Sequence, residues 1–193
     1  MSRLLELSVR SLLDEIAAEG PTPAGGALAA LTGACAAGLL EMAARSSPDW
    51  ELRGAVIAQA KTLRDRLTEL APLNDEVYEQ ALAALGLPDA VDRTARRELI
   101  GSSLDRAAAF PLAIAEAAAN VAELAAVVSE DGDPRVRGDA TAAAMLALGA
   151  TRAAAHLVEI NLGVLGRDER LLRATRLAAD AAAASARTLA VTR

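Results

Sequence analysis

The chain has 193 residues and a formal net charge of −6, and 53% of its residues are hydrophobic while only 2% are aromatic. An acidic surface repels nucleic-acid phosphates, which argues against nucleic acid as a partner. The single cysteine and single histidine exclude an intrachain disulfide and a Cys/His metal cluster, so no metal site is expected.

The hydrophobic share comes largely from alanine, and this composition predicts an all-α fold. Few large side chains are available to fill a core, so the backbones must approach one another closely. Helices with small residues at their contacts allow this, whereas sheets favour β-branched and aromatic residues. We expect a single domain over residues 1–193, folded as a bundle of about five to seven helices.

Hydrophobic periodicity and helix-breaking residues divide the chain into helical segments. The predicted segments cover roughly residues 2–18, 24–45, 48–85, 90–129, 139–164 and 168–191. Ser47-Pro48-Asp49 begins the third segment, with a cap followed by a proline at the first helical position. Pro72 and Pro111 are expected to bend the third and fourth segments, because proline cannot donate the helical hydrogen bond. The polar stretch EDGDPRVRG, residues 130–138, is predicted to be a loop.

Residues 20–40 carry no charge and are long enough to span a membrane. Alanine and glycine dominate this stretch, and Glu41 and Arg45 follow it directly, so a buried central helix is predicted and no membrane partner is expected. The N-terminus lacks a basic-then-apolar secretion signal, which makes the cytoplasm the expected compartment.

Small residues form two rows along this second helix, each at four-residue spacing. The rows are Gly26, Ala30, Ala34 and Gly38, and Gly25, Ala29, Gly33 and Ala37. Four-residue spacing puts each row on one face, where another helix can approach closely. The sequence leaves open whether that neighbour belongs to the same chain or to a partner chain.

The start of the second helix is a candidate binding site. Two prolines, Pro21 and Pro23, stiffen the approach to a helix whose first residues include Gly25 and Gly26. The free N–H groups of a helix start, with the positive end of its dipole, can hold an anion. Glycine also lets a ligand approach the backbone closely. A tight helix crossing that needs glycine for packing alone explains the same residues, so both interpretations stay open.

The segment PTPAGGALAALTGACAAGLLEMA resembles the signature Pro-x-Pro-Gly-Gly-Gly-(Ser/Ala) of the formiminotetrahydrofolate cyclodeaminase/methenyltetrahydrofolate cyclohydrolase family. Other segments resemble the family in matching order along nearly the whole chain, namely SVRSLLDEIAAEGPTP, NDEVYEQALAAL, AFPLAIAE, GDPRVRGDATAAAMLALGA and LVEINLG. The resemblance implies the helical fold of that family. It also implies a homodimer, because the family is typically dimeric.

The resemblance further implies an enzyme that closes or opens the N5–N10 methenyl bridge of tetrahydrofolate. Such an enzyme is either a formiminotetrahydrofolate cyclodeaminase or a methenyltetrahydrofolate cyclohydrolase, and the sequence does not decide between them. A tetrahydrofolate derivative is the substrate, and no prosthetic group is implied. Both reactions pass through an amidinium-like carbon and move a proton at nitrogen, which a carboxylate can assist.

Several residues match functional positions of the family. The resemblance implies catalytic roles for Asp75 and Asp139, which match acidic family positions. It implies substrate-binding roles for Thr22, Pro23, Gly25, Gly26, Tyr78, Asn161, Arg135 and Arg137. In this interpretation Tyr78 stacks on the pterin or hydrogen-bonds to it. Arg135 and Arg137 meet the glutamate tail of folate, because arginine pairs well with carboxylates.

Purely structural roles explain the same residues equally well. Asp139 can cap a helix that begins at Ala140, and Asp75 can belong to a solvated acidic face. Tyr78 can be a packing residue. A buried Asn161 must be hydrogen-bonded, either to the next helix or to a ligand.

Four positions depart from the family pattern and support a different function. They are Ala24, Asp133, Gly138 and Leu157, which stand where the family has glycine, asparagine, serine and asparagine. Some polar ligands to the pterin or to its one-carbon group are therefore expected to be missing. The alternative hypothesis is a non-catalytic or re-purposed helical dimer of the same fold, acting as a binding or scaffold module or on another substrate.

Overall fold

The structure, a computed structural model, describes residues 3–20, 25–86, 93–162 and 168–191. Over these ranges the chain is helical and contains no strand, which confirms the predicted all-α class. The helices are α1 (Val9–Ala17), α2 (Gly25–Arg45), α3 (Arg53–Leu85), α4 (Arg93–Asp131), α5 (Arg137–Leu162) and α6 (Glu169–Val191), with short 3₁₀ turns at Arg3–Glu6 and Pro134–Val136. Six helices lie within the predicted range of five to seven.

The first helix begins later than predicted because a serine caps it. The hydroxyl of Ser8 accepts a hydrogen bond from the backbone N–H of Ser11 at 3.1 Å, so α1 starts at Val9 and not near residue 2. An N-terminal cap of this kind satisfies one of the amides that a helix start leaves without a partner.

The third helix also begins later than predicted, because Ser47 does not cap it. The Ser47 hydroxyl donates to the carbonyl of Ala43 at 3.2 Å and accepts from the backbone N–H of Asp133 at 2.9 Å. Ser47 therefore ties the end of α2 to the connection between α4 and α5. Helix α3 starts only at Arg53, after residues 46–52 have turned.

The connection between α4 and α5 is shorter than the loop predicted over residues 130–138. Helix α4 continues to Asp131, and the Asp133 carboxylate accepts a hydrogen bond from the backbone N–H of Arg135 at 2.8 Å. Asp133 thereby caps the 3₁₀ turn that leads into α5 at Arg137. Asp139 lies inside the first turn of α5, so the predicted N-cap role of Asp139 is wrong.

Helix α2 is the centre of the bundle and packs against α3, α4 and α5. Most members of its two small-residue rows are buried inside this one chain. A Cβ atom at Gly33 would lie 3.2 Å from Cδ1 of Leu67 in α3. The rows therefore face the chain's own helices, which answers the question that the sequence left open.

Three helical stretches are long and apolar enough to cross a membrane by length and composition alone: Gly25–Arg45, Glu98–Asp131 and Pro134–Leu162. The bundle buries 61% and 67% of the first two apolar windows but only 44% of the third. Burial inside the bundle explains the apolar character of α2, as predicted. Much of the apolar surface of α5 remains uncovered by this chain.

Candidate functional site

A cleft of about 200 Å³ opens where four helices meet. It lies at the start of α2, in the second half of α3, beside Pro111 of α4 and at the end of α5. Its lining consists of Gly25, Gly26, Asn74, Tyr78, Ala107, Pro111, Leu157, Ile160 and Asn161. Gly25 and Gly26 are the first residues of α2, so their N–H groups have no partner within the helix and can serve a ligand.

The side chain of Asn161 replaces a backbone hydrogen bond that Pro111 removes from α4. Pro111 has no N–H to donate to the carbonyl four residues earlier, which belongs to Ala107. The side-chain nitrogen of Asn161 donates to that carbonyl at 3.0 Å. Of the two roles considered for Asn161, the bond to a neighbouring helix is therefore present. Its amide oxygen accepts no hydrogen bond within the ranges given above and can serve a ligand in the cleft.

Asn74 is a cleft residue that the sequence analysis missed. Its side chain packs directly on α2, since a Cβ atom at Gly26 would lie 2.4 Å from Nδ2 of Asn74. Asn74 is only 7% exposed, and its amide has no hydrogen-bond partner among the residues that the structure describes. Asn74 lines the cleft, so its amide can donate to and accept from a ligand there. The available signal was its position four residues before Tyr78, which puts both on one helix face.

The remaining wall of the cleft is aromatic and apolar. Tyr78 lines it with a partly exposed ring, so both the ring face and the hydroxyl are accessible. Leu157 and Ile160 form the opposite wall on α5. Leu157 is one of the four departures from the family pattern, and here it supplies apolar contact in place of an amide.

No charged side chain belongs to the cleft lining given above. Asp75 directly follows Asn74 and is half-buried, but it does not form part of that wall. Thr22 and Pro23, with the neighbouring Ala24, lie outside the described residues. Of the predicted site residues, four therefore line the cleft: Gly25, Gly26, Tyr78 and Asn161. A fifth, Asp75, lies beside it.

The other predicted site residues lie at the far end of α5. Asp139 and Asn161 are 22 residues apart in this helix, which corresponds to about 33 Å at 1.5 Å per residue. Arg135 and Arg137 precede Asp139 and are equally distant from the cleft. A single chain therefore does not bring Asp139, Arg135 or Arg137 into contact with a ligand bound beside Asn161.

Arg135 is already engaged at that far end. Its guanidinium forms a salt bridge with Asp133, with 2.6 Å between Nη2 and Oδ2. The hydrogen bond from the Arg135 side chain is the main cause that lowers the pKa of Asp133 to about 2. Asp133, another departure from the family pattern, thus serves as a cap and an ion-pair partner.

Comparisons of the sequence and of the structure with known proteins all find folate cyclodeaminases or cyclohydrolases. The family model described as formiminotransferase-cyclodeaminase matches residues 8–181. A methenyltetrahydrofolate cyclohydrolase of Methylorubrum extorquens is 31% identical over 180 residues, which cover 88% of this chain and 85% of that protein. The crystal structure of a formiminotetrahydrofolate cyclodeaminase from Thermotoga maritima has the same fold, with a TM-score of 0.87 at 22% identity over 98% of this chain and 97% of that chain.

Proposed function

The chain belongs to the formiminotransferase-cyclodeaminase family, and we propose that it opens the N5–N10 methenyl bridge of 5,10-methenyltetrahydrofolate by hydrolysis. The choice of hydrolysis is supported by the relative from Methylorubrum extorquens, whose name states that activity and whose likeness extends over most of both chains. Ring closure of 5-formiminotetrahydrofolate with release of ammonia is the second candidate, supported by the description of the family. We further propose one cytoplasmic domain that works as a homodimer.

The observation that carries this proposal is the composition of the cleft. Two amide side chains, Asn74 and Asn161, lie beside the free amides of Gly25 and Gly26. A pterin presents an amide-like edge that such groups can hydrogen-bond. Its flat ring can pack on the ring of Tyr78. The helix start favours an electron-rich oxygen of the substrate.

The proposed reaction needs proton transfer as well as binding. Water adds to the methenyl carbon and loses a proton, which gives a tetrahedral carbinolamine. The bond from that carbon to N5 then breaks as N5 takes up a proton and the carbinolamine hydroxyl releases its own proton to solvent, leaving the formyl group on N10. A positioned carboxylate can accept the first proton and return it to N5, which typically accelerates such a step by about 10²–10⁴-fold. Asp75 and Asp139 are proposed for this role, and Arg135 and Arg137 for the carboxylates of the substrate.

The test is the rate at which the purified protein removes the near-ultraviolet absorbance of 5,10-methenyltetrahydrofolate. We expect acceleration over buffer, with ammonia release from 5-formiminotetrahydrofolate measured in parallel. Asp75→Asn is expected to lower turnover at least tenfold, whereas Glu69→Gln, which changes an exposed acid on the same helix, should leave it unchanged. Acceleration of neither reaction would contradict the proposal. A melting shift with folates in that case would favour the non-catalytic binding module.

A further inference from the structure

Arg170 connects the start of α6 to α4. It is the second residue of α6, and its guanidinium pairs with the Asp105 carboxylate of α4, with 2.5 Å between Nη2 and Oδ1. Its Nη1 also donates to the backbone carbonyl of Asp105 at 3.3 Å. The two residues are 65 positions apart in the chain, so these bonds join helices that are distant in sequence.

Asp168 fixes the orientation of the Arg170 side chain. The Asp168 carboxylate accepts hydrogen bonds from Nε and Nη2 of Arg170 at 3.0 Å and 2.7 Å, and from the Arg170 backbone N–H at 2.9 Å. A guanidinium that binds a carboxylate through two nitrogens has a defined geometry. The donors that reach Asp105 are therefore held in one position relative to α4.

The turn of α4 that Arg170 contacts is the turn that Pro111 weakens. Asp105 lies two residues before Ala107, whose carbonyl has no backbone donor because Pro111 lacks an N–H. Asn161 of α5 supplies a donor to the Ala107 carbonyl, and Arg170 of α6 supplies one to the Asp105 carbonyl. Side chains from two other helices thus hold a part of α4 that has lost a backbone hydrogen bond.

A second buried core joins α4, α5 and α6 beside the cleft. Its buried and partly buried members are Ala108, Leu112, Ala155, Val158, Leu162, Leu171, Ala174, Leu177 and Ala178. Four cleft residues, Ala107, Pro111, Leu157 and Asn161, are each followed directly in sequence by a member of this core. Because a close-packed core transmits displacements, a shift of α6 relative to α4 would move the walls of the cleft.

The Ala107 carbonyl determines which way the Asn161 amide faces. A carbonyl only accepts hydrogen bonds, so it selects the nitrogen of the amide and leaves the amide oxygen for the cleft. If this turn of α4 moves away, that selection is lost and the amide can rotate. The position of the turn therefore controls which atom Asn161 offers to a ligand.

A similar contact at the other end of α6 provides a comparison. There Arg187 pairs with Glu123 and Glu130 of α4 at 2.9 Å and 3.0 Å. None of these three residues belongs to the cleft lining. Exposed ion pairs contribute little to the free energy of unfolding, so neither arginine is expected to be essential for folding. The two arginines thus differ mainly in whether the part of α4 that they hold forms the cleft.

We propose that Arg170 is a positioning residue for the cleft: through Asp105 it holds the proline-containing turn of α4, so that the Ala107 carbonyl orients the Asn161 amide for the ligand. Arg170 itself does not line the cleft and takes no part in proton transfer. The inference rests on the proposed function for the identity of the ligand, a folate. The hold on α4 rests on the contacts alone.

The hold on α4 is tested without a ligand, by hydrogen exchange of the backbone amides. In Arg170→Leu, exchange over residues 105–115 is expected to become about three- to fivefold faster, while residues 123–131 exchange as in the wild type. Arg187→Leu is the matched control and is expected to show the opposite pattern. Unchanged exchange over residues 105–115 in Arg170→Leu would overturn the proposal, and so would equal acceleration there in both variants.

The effect on the site is measured as kcat/KM for 5,10-methenyltetrahydrofolate. Arg170→Leu is expected to lower kcat/KM about fivefold although it touches no ligand, whereas Arg187→Leu should leave it unchanged. Arg170→Lys retains the charge but not the planar set of donors, so it should recover part of the loss. Equal losses in Arg170→Leu and Arg187→Leu would show that α6 affects the site only through general packing, which contradicts the proposal.

A double-mutant cycle with Asn161 separates positioning from a general structural effect. Asn161→Leu has no amide to orient, so adding Arg170→Leu to this variant should lower kcat/KM no further. A second fivefold loss would mean that Arg170 acts on the site by another route, and the proposal would be wrong. Wild-type protein without turnover would refute the proposed function, whereas hydrogen exchange decides separately whether Arg170 holds α4.

Discussion

Helices α2 and α5 are built from similar residues but are covered differently. Both are long, rich in alanine and interrupted by glycine. Gly33 of α2 lies against Leu67 and Ala118 of its own chain, whereas Gly149 of α5 has open space beside it. A row of small residues therefore allows another helix to approach closely. Whether a helix of the same chain occupies that position depends on how the bundle packs.

Identical substitutions in the two helices test this comparison most strongly. Gly33→Val is expected to lower the free energy of unfolding by about 2–3 kcal/mol, because the added methyl groups overpack a core that already closes on Gly33. Gly149→Val should leave the free energy of unfolding nearly unchanged, because a Cβ atom there meets nothing within 4 Å. Denaturant titration of both variants measures the difference. Equal loss of folding stability in both variants would remove the distinction between the helices.

The end of α5 at the cleft gives the next largest effect. Asn161→Leu removes both the hydrogen bond to the Ala107 carbonyl and the amide oxygen offered to the ligand. We expect turnover of 5,10-methenyltetrahydrofolate to fall about 100-fold and the free energy of unfolding to fall by about 1–3 kcal/mol. Glu69→Gln changes an exposed residue of α3 and is expected to change neither quantity. Unchanged turnover in Asn161→Leu would exclude Asn161 from the site.

The start of α2 can be tested at Gly26, with a glycine outside the cleft as the control. In Gly26→Ala the new Cβ displaces the flexible amide of Asn74, which lies only 2.4 Å away. We expect about a tenfold loss of folate affinity, while the free energy of unfolding changes by less than about 1 kcal/mol because a side-chain end can move. Gly54→Ala, at an exposed glycine of α3 with nothing within 4 Å, is the control for helix propensity. Isothermal titration with a folate checks both, and equal affinities would show that Asn74 does not contact the ligand.

The smallest effect concerns α6, which covers the buried side of α5. Asp168 accepts hydrogen bonds from the backbone and side chain of Arg170, and the side-chain bond is the main cause that lowers the pKa of Asp168 to about 2. A lowered folded-state pKa stabilises the fold above the ordinary value near 3.8, and this contribution is lost as the pH falls towards 2. Asp168→Asn, which retains a capping oxygen, should lower Tm slightly at pH 6. The Tm difference from the wild type should shrink as the pH falls through about 2, and an equal difference at pH 6 and at pH 2 would contradict the charge effect.

Much of the fold could be predicted because the helix signals are local. The proline and glycine residues after Gly20 predicted the start of α2. Helices α3 and α4 run continuously through Pro72 and Pro111, and the bend expected at each proline stays a prediction. The wrong prediction for the start of α3 also came from a local sequence signal. Ser47 has the sequence context of a helix cap, but its hydroxyl is occupied by partners from two other segments.

The candidate site was only partly predictable. Gly25, Gly26 and Tyr78 were predicted from the family signature and lie in one cleft. Asn74 was missed because asparagine beside an acidic run is also typical of a solvated helix, and only its burial against Gly26 distinguishes it. The family resemblance implied that Asp139 acts together with the cleft residues. Within one chain, however, Asp139 lies at the opposite end of α5 from Asn161.

The sequence by itself determined the helical class, the approximate helix limits and the kinship with folate enzymes, because these depend on residue type, spacing and order along the chain. Tertiary structure alone decided which small residues are covered, that Asn74 and Asn161 share a cleft, and that Asp139 lies at the other end of α5. The physical reason is that burial and proximity depend on how helices distant in sequence pack together, and local patterns do not encode those distances.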